Sequence, residues 1–414
     1  MRRAMSLLAC VLVSASVWSA GLGDAAWPSL TALPLASPPR LDGRIDDDEW
    51  SGATRLSGFV LLGSRRLAAG QPEARVAWLE AGLAVAVSVP LPPGRLAQAH
   101  ATDWDGTVWQ DDSVEVHVDP RHEHKVSYQF VANALGTRLD SRAGDVSYNA
   151  DWQAAAVNTP GRWSVEFLIP WSAMESAAPA AGQGIGINLA VNASHLGGIL
   201  TWSPLSRGLH APAQFAHLRL GRGTALSLVG LDAQDLSGLQ AQLAGPDAAE
   251  VTWSLGLRQA DGGVTAAAPQ TVRLAAGAAA PLALALPVEQ GLPKPGLYAI
   301  EVTARTAAGV LLRQAVDVEV GAPLELRARA FLSTRTLVVS AVTDGKVLPA
   351  GDTEVWLTVD GPAGRVAEQR GAPDGQGLLR LEIPGERVPS GRLTVSAGAR
   401  QRRSGLTVTA EKVL

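Results

Sequence analysis

A two-residue alternation of apolar and polar side chains runs through four segments of this chain and most limits the fold that it can take. The apolar positions are Val114, Val116 and Val118; Val126, Tyr128, Phe130 and Ala132; Trp163, Val165, Phe167 and Ile169; and Ile185, Ile187, Leu189 and Val191. Because side chains alternate between the two faces of a β-strand, each segment predicts a strand with one face in a core. Such sheets bury their apolar faces against each other, so the sequence predicts a β-sandwich. The one helix predicted in this region is short and runs from Trp171 to Ala177.

The amino terminus has the order of a secretory signal. Arg2 and Arg3 precede an apolar run over residues 4–17, and small residues follow, with cleavage expected after Ser19 or Ala25. We therefore assign residues 1–26 to an export signal. An uncleaved anchor is the alternative, although the run is shorter than the ~20 residues of a membrane span.

The sole cysteine, Cys10, lies inside this signal. A lipid-carrying cleavage there would leave too short an apolar run, so we expect a mature protein without a thiol. That excludes disulfide scaffolds, iron–sulfur clusters, thiolate zinc sites and cysteine nucleophiles. We expect a protein that is secreted, or periplasmic or on the cell surface of a bacterium, with no membrane span after removal of the signal.

Composition divides the rest of the chain. Eight of the 12 tryptophans lie between Trp50 and Trp202, whereas only Trp253 and Trp356 follow Gly221. Further alternating segments occur at 298–302, 337–340, 353–359, 378–383 and 393–395, with Gly/Pro turns between them. We predict an all-β chain with a sandwich over 32–221 and two smaller immunoglobulin-like sandwiches over 222–321 and 322–414. The formal net charge of −4 gives no basic face for nucleic acid.

Polar residues at the alternate strand positions are expected to share one outer sheet face. They are Glu115, His117, Gln129, Asn133, Asn188 and Asn192, with Trp109 at the rim. A saccharide suits such a surface, since an indole stacks on the apolar side of a sugar ring while amides and carboxylates pair with its hydroxyls. One platform with a few polar partners predicts weak binding, roughly micromolar to millimolar. The alternative is that an antiparallel sheet has a solvated face in any case.

Seven short motifs follow one another over residues 40–221. They are LDGRIDDDEW at 41–50, WQDDSVEV at 109–116, YQF at 128–130 with Asn133, WSVE at 163–166, IGIN at 185–188, WSP at 202–204 and FAHLRL at 215–220. The ordered set resembles family 9 carbohydrate-binding modules, which belong to the DOMON-like superfamily of sandwiches. The resemblance implies a non-catalytic β-sandwich in which two tryptophans hold a glycan, commonly at a chain end, above polar side chains.

The family pattern carries the first tryptophan onto Trp109, the neighbouring carboxylate onto Glu115 and an asparagine onto Asn133. We add Gln129 from its strand face rather than from a family motif, and together these four residues are the predicted saccharide contacts.

The chain departs from the family pattern at two places. Val131 stands where the family has an arginine, and Leu209 and His210 stand where the second tryptophan would lie. We predict that His210 substitutes for that tryptophan on the far side of the site.

An acidic segment offers oxygen ligands for a cation. Asp103, Asp105, Asp111 and Asp112 resemble part of a calcium-binding loop, because hard cations require several oxygens close together. Family members bind structural calcium, so the resemblance supports a calcium site here. A solvated, turn-forming loop is the alternative.

Two enzymatic or metal alternatives remain open in the sequence. Glu115 and Glu166 would form the carboxylate pair of a glycosidase if they faced each other across a cleft. His122 and His124 could bind zinc together with His117, although a further ligand is not evident.

We conclude that the sequence predicts an exported, non-catalytic protein that binds a poly- or oligosaccharide or a cell-envelope glycan, in carbohydrate catabolism or envelope attachment. The immunoglobulin-like modules would hold it away from a surface or dock it to an envelope protein. The first rival is an envelope or adhesion scaffold that has lost sugar binding. The second is a haem-binding electron carrier, for which Met174 is the only methionine left after removal of the signal.

Overall fold

The structure is a computed structural model that describes residues 27–206, 208–231, 240–259, 264–266, 268–282, 296–320, 322–331, 333–345, 347–403 and 405–414. The predicted export signal lies outside these residues. The described chain consists mainly of β-strands, which confirms the predicted all-β class. Among the described residues, the helices are too short to cross a membrane.

Strands account for most of the chain, and the helices are single turns. The strands up to residue 229 are β1 (Ser29–Ala32), β2 (Thr54–Leu56), β3 (Val60–Leu61), β4 (Glu73–Trp78), β5 (Gly82–Pro90), β6 (Ser113–Asp119), β7 (Tyr128–Asn133), β8 (Arg138–Arg142), β9 (Gln153–Thr159), β10 (Arg162–Pro170), β11 (Gly184–Ala193), β12 (Gly198–Thr201), β13 (Ala216–Leu220) and β14 (Ala225–Val229). The next are β15 (Gln240–Ala244), β16 (Ala249–Gln259), β17 (Val264–Ala266), β18 (Gln270–Leu274), β19 (Ala279–Leu282), β20 (Gly296–Thr306) and β21 (Gly309–Val320). The last are β22 (Leu324–Phe331), β23 (Thr336–Thr343), β24 (Thr353–Gly361), β25 (Gly364–Gly371), β26 (Leu378–Pro384), β27 (Thr394–Gln401) and β28 (Thr407–Val413). The helical turns are α1 (Asp47–Trp50) and 3₁₀ turns at Val108–Gln110, Trp171–Met174, Pro212–Gln214, Ala350–Asp352 and Gly385–Arg387.

The four alternating segments of the sequence are strands β6, β7, β10 and β11. Their apolar side chains are buried in one core, apart from Val126, which is half-buried against it. The predicted helix after Pro170 is a 3₁₀ turn that ends at Glu175 in a left-handed conformation.

Two large sheets enclose this core. One has the strand order β17-β16-β20-β21-β1-β13-β11-β6-β7-β8, with β12, β3 and β18 attached beside that path. The other has the order β19-β15-β14-β2-β4-β5-β10-β9. Each sheet therefore contains strands from both sides of the boundary predicted near residue 221.

Strand β1 joins the two halves of the first of these sheets. Leu30 pairs with Leu218 in a parallel ladder and with Leu312 in an antiparallel one. The apolar core runs from Leu30 to Val318 without a break at residue 221. The composition changes there, but the burial of alternate side chains does not, so the strands after 221 extend the first sandwich. The division into domains at 221 and 321 stays a prediction.

The carboxyl-terminal strands form a separate sandwich. A three-stranded sheet, β22-β23-β26, packs on a four-stranded sheet, β25-β24-β27-β28. Its own core includes Val339, Leu357 and Val395. Two small antiparallel sheets of this size agree with the immunoglobulin-like form predicted for residues 322–414.

The motif at 41–50 is fixed to the sandwich by one buried carboxylate. Glu166 on β10 accepts hydrogen bonds from the backbone N–H groups of Asp42 (3.1 Å) and Gly43 (2.8 Å) and from Trp50 Nε1 (2.8 Å). Gly43 has a φ of +81°, and a Cβ there would lie 2.4 Å from the carbonyl carbon of Ala156. Glycine is therefore required at this position both by the positive φ and by the close approach of Ala156 in β9.

Replacing Glu166 by alanine should destabilise the first sandwich by roughly 2–4 kcal/mol, because two buried N–H donors and one partly buried N–H donor would lose their acceptor. Urea unfolding followed by tryptophan fluorescence measures this. Glu49→Ala is the matched control, since the Glu49 carboxylate accepts only one exposed hydrogen bond, from the Arg40 backbone. Equal, small losses in both variants would contradict the anchoring role.

Two separate cores predict two independent unfolding units. Leu312→Ala should lower the stability of the whole unit built on the first core, and Leu357→Ala only that of the carboxyl-terminal sandwich, each by roughly 2–5 kcal/mol. Calorimetry resolves the transitions. If Leu312→Ala shifts a transition that leaves the tryptophan-rich sandwich before residue 221 unaffected, the continuous core does not act as one unit.

Candidate functional site

Strand register places the predicted polar residues on one outer face of the sheet. In the β6–β7 ladder, Ser113 is opposite Asn133, Glu115 is opposite Val131 and His117 is opposite Gln129. Gln129 is also opposite Ser141 on β8, and His117 is opposite Asn188 on β11. Residues directly opposite each other point to the same side of a sheet. We call this side the polar face; its members are Ser113, Glu115, His117, Gln129, Asn133, Ser141, Asn188 and Asn192.

The polar face is covered, contrary to the expectation of an open, solvated sheet surface. Glu115, Gln129 and Asn133 are 3%, 8% and 0% exposed. One cover is the covering loop, residues 97–112, whose Val108 packs with Val131 and Leu139. The other is the covering segment, residues 202–206 and 208–215, in which Ser203 N donates to Asn188 Oδ1 and the rings of His210 and Phe215 lie against His117. The apolar contacts at Val131 explain how the covering loop can pack on a sheet face that is otherwise mostly polar.

Beneath the covering segment, the polar side chains form a compact network. Glu115 Oε2 accepts hydrogen bonds from Gln129 Nε2 at 2.7 Å and lies 2.9 Å from His117 Nε2. Gln129 Oε1 in turn accepts one from Ser141 Oγ at 2.7 Å. Burial alone would raise the pKa of Glu115, but its hydrogen bonds and charge interaction with His117, together with Gln129 and His210, lower that pKa below its usual value. The carboxylate is therefore held ionised inside the protein.

Asn133 is fully used by the protein itself. Its Nδ2 donates to Ala101 O (2.9 Å) and Asp111 Oδ2 (2.8 Å), and its Oδ1 accepts from the N–H groups of Leu135 (3.0 Å) and Thr137 (2.9 Å). An amide side chain has two donors and one acceptor oxygen with two lone pairs. Asn133 thus has no capacity left for a saccharide hydroxyl, and its place in this structure is that of an anchor for the covering loop.

Trp109 lies on the covering loop and is 53% exposed. Asn192 Nδ2 donates to its carbonyl oxygen at 3.0 Å and to that of Asp111 at 3.1 Å. The preceding residue, Val108, is fully buried. The indole therefore projects into solvent from a backbone that is fixed on both sides.

His210 lies over the polar network, at the place where the family pattern has its second tryptophan. Its ring centroid is 5.6 Å from that of His117, in an edge-to-face arrangement, and its side chain is exposed on the outer side. Partial burial and the neighbouring His117 lower the pKa of His210, and Glu115 partly opposes this. Below it, His117 Nδ1 and Asn188 Nδ2 are buried with no hydrogen-bond partner among the described residues.

The five predicted saccharide residues therefore separate into two groups. Trp109 and His210 are accessible, whereas Glu115, Gln129 and Asn133 lie below the surface. Direct contact with a ligand in this conformation is open only to the first group.

The four predicted calcium residues do not fit a shared cation site. Asp111 Oδ2 accepts from Ala101 N and Asn133 Nδ2, and the two oxygens of Asp112 accept from Gln98 N and Ser194 N. Three of the four oxygens of these two carboxylates therefore already accept hydrogen bonds from N–H groups of the protein. The described residues contain no group of three or more His, Cys, Asp or Glu side chains arranged to hold a metal ion. Asp103 and Asp105 lie in the turn before them, where Asp105 Oδ1 is 3.4 Å from Asp140 N.

The proposed carboxylate pair of a glycosidase is wrong for these residues. Glu166 lies on β10 in the other large sheet and turns away from the core towards Trp50, whereas Glu115 lies on the polar face of the first sheet. The two carboxylates are on opposite outer sides of the sandwich and cannot face each other across a cleft.

The histidines near the β6–β7 hairpin group differently from the zinc hypothesis. The ring centroid of His122 lies 4.7 Å from that of His124 and 4.5 Å from that of His217. His117 does not belong to this group; its ring lies against His210 instead. His124 Nδ1 is 3.1 Å from Pro212 O in the covering segment. These three imidazoles are not arranged as a metal site in the described structure.

Met174, the residue on which the haem hypothesis rests, is 1% exposed and packed in the large apolar core. A core packed at native density has no space for a macrocycle beside its sulfur. The residue does not fit an axial ligand.

The covering loop contains a second exposed tryptophan, which was not predicted from the sequence. Trp104 lies on the covering loop five residues before Trp109 and is 45% exposed. A signal was present, since Trp104 stands between Asp103 and Asp105 in a turn sequence that ends in Gly106. A large apolar residue in such a turn is unusual unless it packs against the protein or contacts a ligand.

The neighbouring side chains of His122, His124 and His217, which we call the histidine group, predict that the folded protein loses stability at acid pH. The pKa values of His122 and His217 are lowered by partial burial and by neighbouring imidazoles, with Asp119 opposing this at His122 and Arg313 adding to it at His217. A lowered folded-state pKa means that the unfolded chain binds more protons, so stability should fall as the pH drops through about 6.5.

Urea unfolding between pH 8 and pH 5 measures this slope. His217→Gln should flatten it, whereas His100→Gln, in a side chain that is 86% exposed and outside the group, should not. A slope unchanged by His217→Gln would show that these imidazoles do not govern the acid response.

Comparison with known proteins identifies part of the chain. Residues 41–210 match the family described as "Carbohydrate family 9 binding domain-like". No curated protein matches the chain. Among solved structures, a Bacteroides uniformis protein assigned to carbohydrate binding is 19% identical over 47% of this chain and 100% of its own, with a TM-score of 0.38.

A family 9 carbohydrate-binding module from Caldicellulosiruptor kristjanssonii is similar in two structures. Its complex with cellotriose is 18% identical over 47% of this chain and 93% of its own, and its complex with glucose 21% over 47% and 97%, each with a TM-score of 0.35. Residues 41–210 are a carbohydrate family 9 binding domain-like domain.

Proposed function

We propose that this protein is a non-catalytic carbohydrate-binding protein that takes a poly- or oligosaccharide on the indole of Trp109, with His210 as an accessible polar partner. The observation that carries the proposal is the exposure of Trp109 on a fixed loop, within the segment that matches a carbohydrate-binding family.

The physical basis is preorganisation. An indole held in place loses little conformational entropy when a sugar ring stacks on it, and an aromatic contact of this kind contributes about 0.5–1.5 kcal/mol beyond area burial. Because Glu115 and Gln129 already satisfy each other below the surface, few further hydrogen bonds are available. The proposal therefore includes weak affinity, on the order of millimolar.

Two buried polar atoms beneath His210 support a saccharide site on the polar face. His117 Nδ1 and Asn188 Nδ2 have no hydrogen-bond partner within the part of the chain that the structure describes. A hydroxyl can both donate and accept, so a water or a sugar hydroxyl that reached them would satisfy both.

Export and attachment complete the proposal. The signal-like residues 1–26 support a secreted, periplasmic or cell-surface location for a bacterial protein. The separate carboxyl-terminal sandwich is then the part that is free to dock to an envelope partner, since the strands of 225–320 are built into the sheets of the binding domain.

An exported scaffold that has lost sugar binding is a second candidate. It is favoured by the burial of Glu115, Gln129 and Asn133 and by the complete use of Asn133 within the protein.

Isothermal titration of glucose, cellotriose and xylotriose into the mature chain tests the proposal. We expect weak binding of at least one sugar, and a loss of about tenfold or more in Trp109→Ala, because the stacking surface is removed. The control is Phe331→Ala, which removes an exposed aromatic side chain from the carboxyl-terminal sandwich and should bind as wild type does. Absence of binding in the wild type, or equal binding in Trp109→Ala, would favour the scaffold.

A further inference from the structure

A second indole platform lies on the same loop as Trp109. Trp104 is 45% exposed, and the loop around it is folded by hydrogen bonds from Gly106 N to Asp103 O (3.1 Å) and from Gln110 N to Thr107 O (2.9 Å). No family motif noted in the sequence includes Trp104.

The indole of Trp104 is held in a fixed position at the free edge of β8. Its Nε1 donates to Asp140 Oδ1 at 3.3 Å, and the guanidinium of Arg138 lies 4.0 Å from its ring centroid. Arg138 also donates to the carbonyl oxygen of Trp152 and lies 5.5 Å from that ring. One face of the Trp104 ring is therefore covered by a cation–π contact, and its only donor is satisfied.

The backbone reinforces this arrangement. Asp105 N donates to Arg138 O at 3.0 Å, so the turn pairs with the edge of the sheet. What Trp104 leaves to solvent is then apolar ring surface with no polar group of its own to satisfy. Such a surface has the chemistry of an aromatic platform for the apolar side of a sugar ring.

We propose that Trp104 is a second saccharide-stacking subsite and that the ligand is a neutral polysaccharide chain long enough to contact both Trp104 and Trp109. This inference rests on the proposed function of Trp109. Five residues of chain reach at most about 18 Å, and the two turns between the indoles shorten that distance, so a run of a few sugar units spans it.

The charges around the loop select a neutral chain. Asp103 and Asp105 flank Trp104 directly, and the buried carboxylate of Asp140 lies at its Nε1. The guanidinium of Arg138 lies 4.0 Å from the ring centroid and also donates to Trp152 O, so it is engaged within the protein. A polymer of acidic sugars would bring carboxylates towards these aspartates and be repelled.

Affinity electrophoresis of the full mature chain tests the proposal with three polymers: mixed-linkage β-glucan, xylan and the acidic carboxymethyl cellulose. Glucose titration supplies the single-unit comparison. We expect the wild type to bind a neutral polymer more tightly than glucose, and to be retarded less by the acidic polymer. Trp104→Ala should weaken binding of the neutral polymer roughly three- to tenfold, a larger loss than for glucose, because one of two stacking contacts disappears.

Trp104→Phe keeps an aromatic ring over Arg138 and should retain most of the polymer affinity, which separates lost stacking from a disturbed loop. The thermal transition of each variant, compared with that of the wild type, shows whether that variant is folded. If Trp104→Ala folds and binds the polymer as wild type does while Trp109→Ala does not, the second subsite is overturned and the proposed function stands. Stronger retardation by carboxymethyl cellulose than by the neutral polymers would overturn the assignment of a neutral ligand. If the wild type binds neither glucose nor any polymer, the proposed function fails, and this inference fails with it.

Discussion

The hydrogen bonds that fasten the covering loop to the sheet determine what this protein can present to a ligand. Asn133 and Asp111 meet at 2.8 Å beneath the loop, Asp112 binds backbone N–H groups on both of its sides, and Asn192 holds the carbonyl of Trp109. The first of these hydrogen bonds is buried, the two of Asp112 are partly buried, and all three have a carboxylate acceptor, so opening the loop would leave their donors and acceptors unpaired. The polar side chains of the sheet therefore form hydrogen bonds mainly within the protein, whereas the tryptophans of the covering loop are exposed to solvent.

This arrangement changes the meaning of the family pattern in the chain. The residue types expected for sugar recognition are present on one face, but Asn133 is hydrogen-bonded to the covering loop. Val131, at the position where the resemblance implies an arginine, packs against Val108 of that loop. In the function proposed above, binding strength depends on the exposed indoles and on His210, whose position over Glu115 and His117 links the surface to the buried network. A shallow, aromatic-dominated site of this kind suits a polymer that makes several weak contacts rather than a small ligand that makes many strong ones.

The second consequence of the architecture is mechanical. Because β1 pairs with both β13 and β21, strands that follow residue 221 become part of the binding domain's own sheets. Gln314 Nε2 reaches back to Ser57 O at 2.8 Å, and Asp317 exchanges backbone hydrogen bonds with Arg65 and Leu67. The binding domain is thereby fixed to the strands up to residue 320, while the carboxyl-terminal sandwich keeps a core of its own.

Local patterns in the sequence were sufficient to predict the main strands, their common polar face and the family resemblance. Period-two alternation is a local property, so β6, β7, β10 and β11 and the shared side of Glu115, Gln129 and Asn133 could be derived from spacing. The ordered motifs were equally readable, as the family match over 41–210 confirms. Tertiary structure alone decided that the face is covered, that Glu115 and Glu166 lie on opposite sides of the sandwich, that His122 meets His217 rather than His117, and that the sheets continue past residue 221. Each of these depends on which distant segments come together. Alternation along a strand fixes the direction of a side chain but carries no information about which loop or strand will lie on it.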